Sequence, residues 1–262
     1  MEHPDAFSII EQRVRPGRQR TKPDGSYVLR RPLPQRWWQY ADKRPALRQA
    51  IADLDRVLVI ARISRTGKPA FVPTDQVLNE KVVVFATDRT STLALLSSFI
   101  HSDWVWAFST TLKTDLQYTP SDCFETFAQP APTELLDRAG ERLDIFRREL
   151  MRKRKVGLTA LYDMVSRQST KDGDIVRLRE IHVEIDEAVR EAYALDETQE
   201  PEIREFEVKV ASAPLPSWRE IGLGHGFHET RQGIRFTISP QARVDVLDKL
   251  LALNHYRYQQ EV

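Results

Sequence analysis

The hydrophobic period of this 262-residue chain changes at Pro130 and Pro132, and that change limits what the chain can fold into. Before it, apolar residues come in short β-prone runs: VLVIARIS (57–64), PAFVP (69–73) and KVVVFAT (81–87). Turn residues around Gly67 and the pair Asn79–Glu80 separate them, as strands require. After it, Leu136, Ala139, Leu143, Phe146 and Leu150 keep a three–four spacing behind Thr133, a residue suited to capping a helix. GLTALYDMV (157–165) continues as helix. Beyond the Lys171-Asp172-Gly173 turn, Ile175, Leu178, Ile181, Ile185, Val189 and Ala192 form the cleanest amphipathic stripe in the sequence. Strands first and helices later predict an α+β protein: a mixed α/β unit, an antiparallel helical pair, and a C-terminal hairpin plus helix.

The expected divisions are 1–36, a basic extended lead-in; 37–130, the α/β unit; 131–196, a spacer-like helical segment; and 197–262, a hairpin–helix segment. Pro16, Pro23, Pro32 and Pro34 argue for extended chain in the first. Trp37 and Trp38 open the folded part, and Leu47, Ala50, Ile51 and Leu54 make a helical stripe behind Pro45. A helix is expected from about Ser91 to His101, ahead of the aromatic patch Trp104, Trp106 and Phe108. Residues 197–224 read as loop or linker. Ile234, Phe236 and Ile238 then alternate with polar residues after a Gln232–Gly233 turn, and Ser239-Pro240 starts the last helix.

The net charge of +1 is unevenly spread, because residues 1–50 hold 11 Lys/Arg against 5 Asp/Glu. A basic lead-in suits either a local polyanion contact or a solubilising tail. The run Arg152-Lys153-Arg154-Lys155 is open in the same way, to phosphate contact or plain solvation at a helix end. One cysteine, Cys123, leaves no internal disulfide and fits a reducing cytoplasm, and nothing resembles a signal peptide. No apolar run reaches the roughly 20 residues that span a bilayer, so no membrane partner is expected.

Catalytic signals are weak. His225 and His228 sit three apart but lack the His-Glu-x-x-His order of a zinc helix, so no metal site is expected. Gly222, Gly224 and Gly226 follow no buried strand, which argues against a nucleotide loop. Cys123 has no basic neighbour to make it a thiolate, and His182, between Glu180 and Glu184, reads as a surface or interface histidine. No residue is assigned a catalytic role.

A second period change lies inside the α/β unit. Thr111, Lys113, Asp115 and Gln117 alternate with Leu112, Thr114, Leu116 and Tyr118, the pattern of one half-buried strand. Its odd-numbered face carries a donor, an acceptor and two groups that serve as both. Such a row is either a reading edge or an ordinary solvated strand face.

WWQYADKRPALRQAI (37–51) and LLSSFIHSDWVWAFSTTLKTDLQYTPSDCFETFAQP (95–130) resemble the target-recognition region of large adenine-specific DNA methyltransferases. These are the Type IIG/IIL restriction–modification enzymes and related DISARM- and BREX-like phage-defence methyltransferases. GLTALYDMV, IVRLREIHVEIDEAVREAYALDE and GIRFTISPQARVDVLDKLLALNHYRYQQE are similar to later segments of the same proteins. The family's Asn-Pro-Pro-Tyr/Phe catalytic motif is absent, since Asn79 and Asn254 are the only asparagines and neither precedes proline. The family's Phe-Pro-Phe-Pro ending of the recognition segment reads Phe127-Ala128-Gln129-Pro130.

The resemblance implies a specificity module or subunit, inactive alone, that directs a partner methyltransferase domain to double-stranded DNA. S-adenosylmethionine would bind the partner, with no cofactor in this chain. Thr111, Lys113, Asp115 and Gln117 would read bases in the major groove. Arg13, Arg15, Arg18, Arg20, Arg30, Arg31, Lys153 and Lys155 would contact phosphates. The alternative is a protein–protein scaffold of a defence complex, docking through the 175–192 helix.

Overall fold

The structure is a computed structural model that describes residues 3–40, 43–211 and 214–261. It divides into two units, Met1–Ala52 and Asp53–Val262. In the first, α1 (Pro4–Arg13) and α2 (Arg15–Arg18) replace the extended lead-in expected over 1–36. The prolines counted against helix begin at Pro16, so none interrupts Pro4–Arg13, and Pro4 sits in the first turn where proline is tolerated. The buried Trp37 packs against Phe7 and Trp38, with ring centroids 5.5 and 5.6 Å away. A short helix, α3 (Pro45–Ala50), follows and ends before the expected Leu54.

The second unit starts with an antiparallel sheet of order β3-β1-β4, built from β1 (Arg56–Ala61), β3 (Ala70–Pro73) and β4 (Val82–Phe85). Val57 to Ile60 of β1 are all buried, which explains an apolar run without alternation. Between β1 and β3 lies the short β2 (Ile63–Ser64).

The expected helix over Ser91–His101 is two helices, α4 (Thr90–Ser97) and α5 (Phe99–Phe108), broken at the extended Ser98. Ser98 caps α5 by accepting a hydrogen bond from His101 N at 3.0 Å. The aromatic patch therefore lies on the helix: Trp104 is buried, while Phe108 is exposed against it with ring centroids 4.3 Å apart. α4 is apolar nearly all round and is the central helix, packed between α7 and α9.

β5 (Thr110–Leu112) and β6 (Asp115–Gln117) form a hairpin, and the one-turn α6 (Pro120–Cys123) closes this part. α7 (Glu134–Arg154) begins where Thr133 Oγ1 accepts from Leu136 N at 3.2 Å, the cap read from the sequence. α8 (Leu158–Ser166) and α9 (Gly173–Gln199) follow. Residues 197–224 are not all loop: α10 (Glu202–Val210) and a 3₁₀ turn at Trp218–Glu220 lie within them. Ile203 of α10 is buried and Phe206 packs on Tyr256 of the last helix at 5.7 Å, apolar positions set in a stretch that reads as polar and proline-containing.

β7 (Gly226–Thr230) and β8 (Gly233–Thr237) pair through an Arg231–Gln232 loop, one residue ahead of the expected turn. α11 (Pro240–Glu261) ends the chain, with Ser239 Oγ accepting from Ala242 N. One hydrophobic core runs through this unit from Leu58 to Leu253. Among the described residues, no helix is long and apolar enough to cross a membrane.

Candidate nucleic-acid interface

β5 and β6 turn through Lys113 and Thr114, and Lys113 has φ +60°. The single alternating strand expected over 111–118 is thus a tight hairpin. Glycine or asparagine usually marks such turns, and their absence here hid the reversal. In an antiparallel ladder, opposed residues point to the same face. Thr110 opposes Gln117, Leu112 opposes Asp115, and Thr111 opposes the buried Leu116. Asp115 and Gln117 therefore share a face with Thr110 and Leu112, while Thr111 points to the other face and Lys113 sits at the tip.

The four expected readers are not one row. β2 extends the sheet as β2-β6-β5, with Ile63 opposite Gln117, so the exposed Ile63 joins the Asp115–Gln117 face. Thr110, Leu112 and Ile63 are the face residues that single-strand reasoning left out. The sheet is anchored from behind: Ser109 Oγ donates to Gln117 O, and Tyr118 N donates to Arg62 O at 2.8 Å. Gly67, at φ +58°, brings the loop after β2 against Leu116, where a Cβ would stand 2.8 Å from a methyl.

Beside this sheet, the β7–β8 loop meets the end of α5 and the β2–β3 loop. Arg231 Nη1 donates to Trp106 O at 3.3 Å, and Gln232 Nε2 donates to Arg65 O at 3.1 Å. A cleft of about 220 Å³ opens between these elements and α8. At its base, Lys68 Nζ is buried and donates to Ser97 O at 2.7 Å and Ser102 Oγ at 2.8 Å. Burial brings this ammonium down to about 8, partly opposed by the charge of Asp186. Asp103 accepts from Arg243 Nε at 3.0 Å, yet burial raises its carboxyl to about 6. No spacing in the sequence signals this cleft, since Arg65 and Arg231 lie far apart along the chain.

The expected phosphate ligands differ in what they already touch. In the first unit Arg13, Arg20, Arg30 and Arg31 are exposed. Arg15 pairs with Glu11 at 2.7 Å and lies 5.4 Å from the Trp37 ring. Arg18 donates to Trp37 O and Gln39 O, a structural bond set within that unit. At the end of α7, Lys153 and Lys155 are exposed, with Lys153 Nζ 3.6 Å from Asp174. Arg154 is engaged by Asp172 and Asp174.

One histidine sits elsewhere than expected, and a second has a buried partner. His182 is fully buried rather than at the surface, with Nε2 2.8 Å from Tyr162 Oη and its ring against Phe99. Its acidic neighbours misled, because they lie on other faces of α9. His225 Nε2 bonds the buried Asp186 Oδ2 at 2.8 Å, and Asp186 Oδ1 accepts from Phe99 N at 2.7 Å. Cys123 is buried, and burial raises its thiol above the ordinary value. Among the described residues, no three or more His, Cys, Asp or Glu side chains gather as a metal site.

With this geometry in view, comparison with known families is decisive for one segment. Residues 41–131 match the MmeI target recognition domain. The resemblance read from the sequence is borne out there, and the β5–β6 hairpin lies inside the matched residues. So do Arg65, Lys68, Phe99 and Trp106 of the cleft, whereas α7 to α11 follow the matched residues. A solved structure of the Type IIL restriction–modification enzyme MmeI in complex with DNA matches at 18% identity and a TM-score of 0.49. The match covers 72% of this chain and 23% of that one. No curated protein matches.

Proposed function

We propose that this chain reads a DNA sequence on behalf of a restriction–modification enzyme. The observation that carries the reading is the match to the MmeI target recognition domain over 41–131 with the β5–β6 hairpin inside it, its edge strand β5 exposed and β6 paired on both sides. The exposed edge and tip of this small sheet can offer side chains to the major groove, whose base edges differ in donor and acceptor pattern. Lys113 at the tip suits guanine O6 and N7, Gln117 suits adenine N6 and N7, and Asp115 suits the cytosine amine. Thr111, on the opposite face, suits a flanking contact. Arg13, Arg20, Arg30, Arg31, Lys153 and Lys155 supply phosphate contacts that fix register without reading sequence; Arg15 and Arg18 do so only by leaving present partners.

Catalysis comes from a partner domain or subunit that binds S-adenosylmethionine and methylates adenine in the cytoplasm, serving restriction or phage defence. Double-stranded DNA is the substrate presented to it. The scaffold alternative has less to offer. The stripe Ile175, Leu178, Ile181, Ile185 and Val189 that would dock a partner is already buried in the core.

The test is binding of the full chain to a randomised duplex pool, followed by the same selection with Gln117→Ala and Lys113→Ala. Each substitution is expected to relax one base position at a cost of roughly 1–3 kcal/mol of discrimination. Unchanged preference in both variants, or no preference in the parent chain together with its catalytic partner, sinks the reading.

A further inference from the structure

The cleft between the β7–β8 loop, α5 and α8 is used by neither the base-reading hairpin nor the phosphate contacts above. Its floor is aromatic: Phe99, Trp106 and Phe236 line it, with Phe99 and Phe236 edge-on at 6.1 Å between centroids. Its mouth is cationic. Arg65, Arg231 and Arg235 line it, and Arg65 and Arg231 are exposed. Among the described residues, each of the three guanidinium groups makes one hydrogen bond, to Asp163, Trp106 O and Ile234 O respectively, out of the five donors it carries. Counting Lys68 and Arg243, five positive side chains face two carboxylates, Asp103 and Asp163. The volume, about 220 Å³, lies below the range of roughly 300–1,000 Å³ that holds drug-sized ligands.

An aromatic floor, with Lys68 Nζ held beneath it by Ser97 O and Ser102 Oγ, under a multiply cationic mouth selects a ligand with two unlike ends. Inorganic phosphate would use only the rim, and an uncharged aromatic would use only the floor. We propose that this cleft binds one nucleoside 5′-phosphate unit, its base against Trp106 and Phe236 and its phosphate on Arg65, Arg231 and Arg235. Aromatic rings stack on any base, and guanidinium forks bind phosphate in pairs of hydrogen bonds. Such a unit reaches the cleft either as a nucleotide unstacked from a DNA strand or as a free mononucleotide. The inference goes beyond the sequence-reading proposal, and only its DNA-borne arm rests on it.

The experiment is calorimetric titration of the full chain with deoxyadenosine 5′-monophosphate, deoxyribose 5-phosphate and inorganic phosphate. Binding by a duplex with one bulged nucleotide, against the same duplex without the bulge, is measured in parallel. The mononucleotide, the bulged duplex or both are expected to bind about tenfold tighter than their base-free or fully paired counterparts. Arg231→Ala with Arg235→Ala is expected to weaken that binding about tenfold, and Trp106→Leu to abolish the preference for the base while phosphate binding persists. Melting curves of the variants report folding, and Arg235→Lys serves as a milder second variant. If only the free nucleotide binds, the source is a soluble ligand; if only the bulge binds, it is the strand. Equal binding of all ligands, no binding, or parent-like binding by the folded variants overturns the proposal. Loss of base preference in Gln117→Ala with intact nucleotide binding would belong to the hairpin alone.

Discussion

Arg179 shows how much one side chain can decide. It is nearly buried on α9, and its guanidinium donates to Val165 O, Thr170 O, Met164 O and Arg167 O at 2.9 to 3.1 Å. Those carbonyls belong to the end of α8 and the turn after it, where Met164 O and Arg167 O also accept from Arg167 N and Thr170 N at 3.2 and 3.0 Å. A cation there is also favoured by the helix dipole. The same guanidinium lies 5.0 Å from the Phe227 ring and 5.8 Å from Phe236, so it ties α8 to the β7–β8 hairpin. Burial lowers its pKa, but the arginine range leaves it charged. Arg179→Met keeps the stem but takes the donor from Val165 O and Thr170 O and a second donor from Met164 O and Arg167 O, and is expected to cost about 3 kcal/mol in urea unfolding. Arg179→Lys places three donors on one nitrogen and cannot span four acceptors, so it should recover only part of that loss. Full recovery by lysine would show that charge rather than the fork matters.

At the scale of elements, the joint between α4 and α7 is fixed by two residues of α7. Asp137 Oδ1 accepts from Ser91 N at 2.8 Å and Thr90 Oγ1 at 3.2 Å, capping α4 from a neighbouring helix because Arg89 cannot. One turn on, a Cβ added at Gly140 would stand 1.9 Å from Thr90 O and 2.6 Å from its carbonyl carbon. Alanine has the better helix propensity by roughly 1 kcal/mol, but both contacts are to backbone and cannot swing aside. Overpacking wins: Gly140→Ala is expected to lower stability by about 3 kcal/mol, and a raised melting temperature would refute the close packing. Nothing in the sequence reading of this helix marked Gly140 or its partner. β1, β3, β4, α7, α9 and the β7–β8 hairpin were legible because each has a long apolar period or a marked turn. The β5–β6 hairpin, the break at Ser98 and α10 were not. Lys113 makes its turn without glycine, Ser98 breaks a run that stays apolar, and α10 is a short helix inside a polar, proline-containing stretch. The sequence singled out Thr111, Lys113, Asp115 and Gln117 as one row, but their division between two faces and a tip required the register.

Across the whole molecule, stability should depend on pH in a direction set by two buried imidazoles. His101 has Nδ1 on Leu96 O and Nε2 on Tyr118 Oη, both at 3.2 Å, and burial followed by the charge of Lys68 brings it down to about 3. Burial, with Lys68 and Arg147 behind it, takes His182 well below its ordinary value. Both are therefore neutral in the folded chain where the unfolded chain begins to protonate, near 6.5. Their contribution is complete above that value and is lost as pH falls below it, about 2 kcal/mol for each histidine by pH 5. Asp103 works in the opposite sense. Its carboxyl, raised to about 6, takes up a proton in the folded state first, and returns about 1 kcal/mol between pH 7 and 5. The histidines win, so urea midpoints should fall between pH 7 and pH 5. His182→Phe keeps a ring against Phe99 but removes the titration. It is expected to be less stable than the parent at pH 7, where the Tyr162 bond is lost, and to close that gap by about 2 kcal/mol at pH 5. Parallel pH profiles for parent and variant would mean that His182 titrates alike in the folded and unfolded chains, and would remove it from the acid response.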